Sequence, residues 1–248
     1  MNQGSGGGFR NWLDRRLGYR AAWAAIFERS IPEGVNWAYT LGSATLFVFV
    51  LQALTGMFLA LYYTPNPDNA WQSIQFIENH VAFGPMIRSL HHWGASAMVV
   101  LVFLHMLRVY FMGSFKYPRE LTWIVGVVLL FLVLVMGFTG YLLPWDEKAY
   151  WATTVGTNMV GAVPFVGSFL EGLLRGGPNI GVLTLPRFYA IHMLFVPALL
   201  VLFIALHLVL VIRLGISTPP KPALQERLMY ENRAPGSRPA AAQRGARG

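Results

Sequence analysis

An all-α integral membrane fold, a four-helix bundle, is predicted by three features of the chain: its apolar composition, four runs long enough to cross a bilayer, and a one-sided distribution of cations. The 248 residues are 55% hydrophobic and only 12% charged, with a mean hydropathy of +0.47, whereas soluble domains carry nearer a quarter charged residues. A bilayer core about 30 Å thick needs about 20 apolar helical residues. Four stretches meet that length, at 37–61, 87–112, 121–143 and 188–214.

Each remaining segment has its own pattern. Residues 1–36 form a tail and an amphipathic surface helix, because 11–27 mixes Trp12, Leu13, Leu17, Ala21, Trp23 and Ile26 with Asp14, Arg15, Arg16 and Arg20. Residues 37–217 are the four-helix domain. Its long connection, 144–187, contains an apolar stretch at 163–174 that is too short to span and reads as one or two interfacial helices. The polar, proline-bearing 218–248 is expected to be disordered. The first 35 residues lack the apolar core and cleavage site of a signal peptide.

Of 19 Lys and Arg, 15 fall on segments that share one side when the helices alternate, among them Arg10, Arg15, Arg16, Arg20, Arg108, Lys116, Arg119 and Arg213. Arg88, Lys148, Arg175 and Arg187 fall on the other. The positive-inside rule therefore predicts both termini on the cytoplasmic, negative side. The net charge of +8 is accounted for by topology, and no soluble domain is left to present a nucleic-acid surface. The absence of Cys excludes disulfides, iron–sulfur clusters and a covalent c-type haem.

Six histidines remain as candidates for chemistry, and four of them form a pattern. His91 and His105 lie on the second span, and His192 and His207 on the fourth. At about 100° per residue, the first pair returns to within about 40° of one face and the second to within about 60°. Consecutive spans alternate in direction, so the second and fourth run parallel, which puts His91 level with His192 and His105 level with His207. Two imidazoles facing each other at one depth can ligate a haem iron axially, so the pattern predicts two haem b groups about 21 Å apart along the axis. A single membrane histidine can instead be satisfied by a polar neighbour, and His80 and His92 fit that reading.

Gly42 and Gly56 on the first span, and Gly126 and Gly140 on the third, repeat the same 14-residue interval at the same two depths. Glycine permits close approach to a flat plate. Arg88 and Arg108 each lie three residues from a ligand position and suit haem propionates, or alternatively serve as flanking topology cations.

The set GVNWAYTLGS, IRSLHHWGAS, HMLRVY, PRELTW, GYLLPW, RFYAIH and HLVLVIRLGIS resembles the N-terminal half of cytochrome b of the bc1 and b6f complexes, over about 34–217. The 15-residue step from His192 to His207 is similar to the split b6 form. Thr40 stands where b6-type chains have the cysteine that attaches an extra haem. This departure weakens a plastid assignment and favours a bacterial cytoplasmic membrane.

The resemblance implies a low-potential haem on His91 and His192, a high-potential haem on His105 and His207, and quinone or quinol as substrate. It implies a Q cycle in a quinol:cytochrome c oxidoreductase that is inactive as this subunit alone. The expected partners are a subunit-IV-like C-terminal half, a Rieske iron–sulfur protein and a c-type cytochrome, in a homodimeric complex. By motif position, Phe138, Tyr141 and Ala152 border an outer quinol pocket, and Asn36 and Arg213 are candidates for an inner quinone site. The alternatives are a dihaem anchor of the formate dehydrogenase or hydrogenase kind, which lacks the GYLLPW and PRELTW context, a haem-free transporter or structural subunit, and the same fold in another respiratory assembly with different soluble partners.

Overall fold

The computed structural model describes residues 8–28 and 35–217, and every regular element among them is helical. Arg29 and the tail at 218–248, expected to be disordered, lie outside the described residues. Where one amphipathic helix was expected there are two, α1 (Gly8–Leu17) and α2 (Tyr19–Phe27). Gly18 divides them with φ +60°, a conformation glycine adopts without a Cβ penalty. Its N–H returns to the Asp14 carbonyl at 2.7 Å, while Asp14 Oδ1 accepts from Arg20 N at 2.8 Å. Trp12, Leu17 and Trp23 stay exposed, as an interfacial segment requires.

A 3-10 turn, Trp37–Thr40, leads into α3 (Leu41–Ala60). Then follow α4 (Ala70–His80), α5 (Gly84–Phe111), α6 (Glu120–Tyr141), α7 (Glu147–Gly161), α8 (Gly167–Arg175) and α9 (Thr184–Ala190). A π-helical turn, Ile191–Phe195, joins α9 to α10 (Val196–Leu214). Four helical stretches are long and apolar enough to cross a membrane: Trp37–Ala60, Gly84–Phe111, Glu120–Tyr141 and Thr184–Leu214. They match the four expected spans. Large apolar side chains such as Phe47, Phe131 and Leu202 face outward, which suits lipid tails as the surrounding solvent.

In the bundle α3 packs chiefly on α5 and α10 on α6, and α5 against α6 joins the two pairs. The buried core is Met98, Val102, Val133, Val196 and Leu200, with Phe49 packed against it. Met98, Val133 and Leu200 sit midway along their spans, with Val102 and Val196 beside them. Phe49 lies halfway between Gly42 and Gly56, Met98 between His91 and His105, and Val133 between Gly126 and Gly140. A tightly packed apolar layer therefore divides the bundle interior into two compartments.

The end carrying α4, α7 and α8, here the outer end, is tied down by polar contacts. Tyr63 donates to the Leu143 carbonyl at 2.6 Å, linking the first loop to the end of α6. Burial, reinforced by the neighbouring Tyr189 phenol, pushes the Tyr63 hydroxyl well above its ordinary value and keeps it a donor. Arg175 pairs with Glu171, donates to Thr157 Oγ1 at 2.8 Å and to Asn158 Oδ1 at 2.6 Å, and so fastens α8 to α7. Asp146 caps α7 by accepting from Ala149 N at 2.8 Å.

Packing between spans is the main attraction available to them inside a bilayer. Leu200→Ala, which empties a site only 3% exposed, is expected to cost about 2 kcal/mol or more. Thermal unfolding of the detergent-solubilised protein should show a lowered midpoint.

Candidate functional site

The four histidines come together as two pairs, one in each compartment. The outer rings of His91 and His192 have centres 6.5 Å apart and planes crossed at 80°, and the inner rings of His105 and His207 have centres 6.5 Å apart and planes crossed at 77°. Allowing for the ring radii, that separation leaves about 4 Å between facing nitrogens, the length of two metal–nitrogen bonds of about 2 Å each. Among the described residues no cluster of three or more His, Cys, Asp or Glu could hold a metal. An iron held by two imidazoles must therefore bring its other ligands with it, as a haem does.

Each glycine faces one particular histidine. A Cβ built on Gly42 would lie 3.2 Å from His105 Cε1, on Gly56 3.1 Å from His91 Cε1, on Gly140 2.6 Å from His192 Cε1, and on Gly126 3.6 Å from His207 Cε1. At each of the four glycines the nearest group is a histidine ring, so the bare backbone gives clearance to the imidazoles as well as to any flat group between them. The sequence pairing of helices is sharpened accordingly, since α3 supplies the clearance for the α5 histidines and α6 that for the histidines of the fourth span.

The 15-residue step between His192 and His207 is reconciled by the π turn. Val196 N–H bonds back to the Ile191 carbonyl, five residues earlier, so the turn takes in one extra residue. Pro197 has no N–H to offer the Met193 carbonyl and crowds it, which favours the widened turn at this point. With one residue absorbed, the helix behaves as if the step were 14, and both ligands share a face.

Two threonines that sequence reasoning missed complete the outer pair. Thr55 Oγ1 lies 2.9 Å from His91 Nδ1 and Thr139 Oγ1 3.1 Å from His192 Nδ1. The available signal was a Thr-Gly dipeptide recurring at 55–56 and 139–140. At the inner pair, Nδ1 of both His105 and His207 is buried without a side-chain hydrogen-bond partner, the Thr122 carbonyl alone lying beside His207.

The arginines differ as well. Arg88 is ion-paired with Glu78 of α4, a partner not foreseen because α4 itself was not predicted. Arg108 sits over the Tyr39 ring, 4.6 Å from its centre, and its buried Nε has no partner, nor has the Tyr39 hydroxyl. Such donors suit an acidic group entering the inner compartment. Of the remaining histidines, His80 stacks on Phe76 and His92 lies edge-on to Trp93, neither of them at the pairs.

The quinone candidates divide. Phe138 packs edge-on against Phe188, and a Cβ on Gly156 of α7 would collide with its ring. Ala152 is one turn before Gly156 on the same face of α7, and Tyr141 is exposed one turn beyond Phe138. These three residues thus border the junction of α6 with α7. Asn36 is engaged as a cap, its Oδ1 accepting from Ala38 N at 3.0 Å, and Arg213 is exposed near the end of α10.

Crossed imidazole pairs at two depths of a four-helix membrane bundle are the arrangement expected of a membrane cytochrome. The family model described as Cytochrome b/b6/petB matches residues 26–215. The chain belongs to this cytochrome b/b6 family, electron-transport subunits whose prosthetic group is a b-type haem. It is 48% identical over 217 residues to the menaquinol:cytochrome c reductase cytochrome b subunit of Bacillus subtilis (strain 168), covering 84% of this chain and 97% of that one. It is 46% identical to cytochrome b6 of Heliobacterium mobile, covering 84% of this chain and 99% of that one. Among solved structures it is similar to a hyperthermophilic respiratory Complex III, with a TM-score of 0.76 at 31% identity, covering 84% of this chain and 56% of that chain.

The glycine contacts rank two substitutions. Gly140→Ala is expected to displace His192 and lower outer haem content, whereas Gly126→Ala, with its 3.6 Å clearance, should keep both haems. Haem-to-protein ratios of the purified variants measure the difference. Deleting Leu194 should convert the π turn to α-helix and retain both haems, while inserting one alanine after Leu200 should rotate His207 by about 100° and lose the inner one. Visible spectra of the two variants provide the comparison.

Proposed function

We propose that this chain is the cytochrome b subunit of a quinol:cytochrome c, or similar acceptor, oxidoreductase, carrying electrons across a membrane between two quinone sites. The observation that carries this reading is the pair of facing histidine couples, each 6.5 Å between ring centres, stacked at two depths and separated by an apolar layer. Two b-type haems, when bound, supply one-electron carriers at those depths.

The chain's own residues bind and orient. His91 with His192 and His105 with His207 would ligate the haem irons, and Gly42, Gly56, Gly126 and Gly140 leave room for these imidazole rings. Arg108, with its unpartnered buried donor, meets a propionate at the inner centre, and Arg88, already bridged to Glu78, serves the outer one. The Met98, Val133 and Leu200 layer excludes water between the centres. Phe138, Tyr141 and Ala152 line the outer quinol pocket, while Asn36 and Arg213 lie toward the inner quinone. The Bacillus relative's name specifies menaquinol, which supports a quinol as the electron donor here.

The relatives that this chain matches over 97% and 99% of their length are short cytochrome b chains, while it spans just over half of the Complex III chain. That contrast supports a separate subunit-IV-like partner, joined by a Rieske iron–sulfur protein and a c-type cytochrome in a homodimeric complex. The one-sided cations support both termini on the negative side, and relatives from Bacillus subtilis and Heliobacterium mobile support a bacterial cytoplasmic membrane. With no cysteine in the chain, any haem is held without a thioether link.

The complex purified with its copurifying chains should show a reduced b-type α band that titrates in two redox steps. One step or none would overturn the reading. His105→Ala should abolish one step, and retention of both would remove that residue from the ligand set.

A further inference from the structure

We propose that the hydroxyls of Thr55 and Thr139 are positioning residues for the outer centre, directing the lone pairs of His91 and His192 at the metal and lowering its potential. The inference deepens the functional reading above and rests on it. Both threonines are buried, 6% and 3% exposed. Thr55 Oγ1 is 2.7 Å from the Leu51 carbonyl and Thr139 Oγ1 is 2.9 Å from the Val135 carbonyl, so each hydroxyl proton is committed to a backbone acceptor one turn back. A hydroxyl that has donated its only proton can offer a neighbour just a lone pair. The contacts of 2.9 Å to His91 Nδ1 and 3.1 Å to His192 Nδ1 are then N–H donations from the imidazoles.

Two consequences follow from that direction. The proton is pinned on Nδ1, which leaves the Nε2 lone pair free for a metal. Donation also enriches the ring in electron density, making it a stronger ligand that favours the more positive, oxidised iron.

The inner layer serves as an internal control. In the same register, the residue before each glycine is Leu41 or Val125, where the outer layer has Thr55 and Thr139. Neither side chain can accept a proton, and Nδ1 of His105 and His207 has no side-chain hydrogen-bond partner, only the Thr122 backbone carbonyl lying beside His207. The surrounding charges act in the same direction. Arg88 near the outer pair is neutralised by Glu78, whereas Arg108 near the inner pair is packed on Tyr39. With a propionate at each centre, the inner side still keeps one more positive protein charge than the outer side, and that charge favours the reduced iron.

The test is a potentiometric titration of the complex carrying Thr55→Val or Thr139→Val, with Thr55→Ser and Thr139→Ser as rescues. His105→Ala identifies which step is the inner one. Each valine variant should raise the ferrous-to-ferric ratio of the outer centre about fivefold to tenfold at fixed ambient potential, the cost of one hydrogen bond of about 1 kcal/mol, and tenfold corresponds to 59 mV for one electron. The inner step should not move, and serine should restore the outer one. Val125→Thr adds a hydroxyl beside the inner pair and should lower the inner step, so a result is available even if a valine variant fails to assemble. An unchanged outer step in assembled valine variants, or an unchanged inner step in Val125→Thr, overturns the proposal. Absence of two redox steps in the unaltered complex would instead overturn the functional reading itself.

Discussion

The contact on which the rest of the bundle depends is that between an imidazole edge and a backbone with no side chain. At Gly42, Gly56 and Gly140 a single added carbon would come within 3.2 Å or less of a histidine ring, tighter than such contacts normally allow. This closeness fixes the rotation and height of each helix relative to its neighbour. Once α3 is seated on α5 at two glycines 14 residues apart, and α6 against the fourth span at two more, little freedom remains to slide or turn. The ring separations of 6.5 Å at both depths are the outcome of that double constraint.

Two close-approach layers need something between them, because helices that touch only at their small residues would leave a void. Phe49 and Val133 fill the midplane halfway between the glycines of α3 and α6, and Met98 and Leu200 fill it about halfway between the histidines of α5 and of the fourth span. Small at the ends and large at the centre is the same volume pattern on α3 and α6, and it makes two compartments from one bundle. Inside a bilayer, where lipid tails are as apolar as the core, such shape matching has to provide most of the cohesion.

Much of this was legible in the sequence, because membrane spans are encoded in length and hydropathy, and ligand layers in intervals. The four spans, the histidine pairs and the glycine register all follow from counting along an ideal helix. What escaped was whatever depends on contacts between distant segments or on departures from ideality. The helix α4 has a mixed composition between two spans, so Glu78 could not be matched with Arg88. Asn36 was a candidate for quinone contact on motif grounds, and its capping bond to Ala38 depends on a 3-10 turn that hydropathy does not announce. The Thr55 and Thr139 hydroxyls were in plain view beside the glycines, yet threonine is common in membrane helices and gains meaning only when its oxygen is seen at a ring nitrogen.

The fourth span departs from the 14-residue register, and the way it does so is informative. An extra residue between two ligands could be spread as slight underwinding over 15 residues or concentrated in one turn. Spreading would misdirect every side chain in between, including Leu200 in the midplane layer. Concentrating it at Ile191–Phe195 leaves Val196–Leu214 regular, so the midplane contact and His207 keep their phase. Pro197 decides the location, since it withholds the N–H that an α-helical turn would send to Met193. The widened turn also contains His192, whose ring has the tightest glycine contact of the four, at 2.6 Å from a Cβ on Gly140. The irregular turn and the most demanding glycine therefore occupy the same spot, where the His192 ring lies closest to a neighbouring helix and a bare backbone receives it.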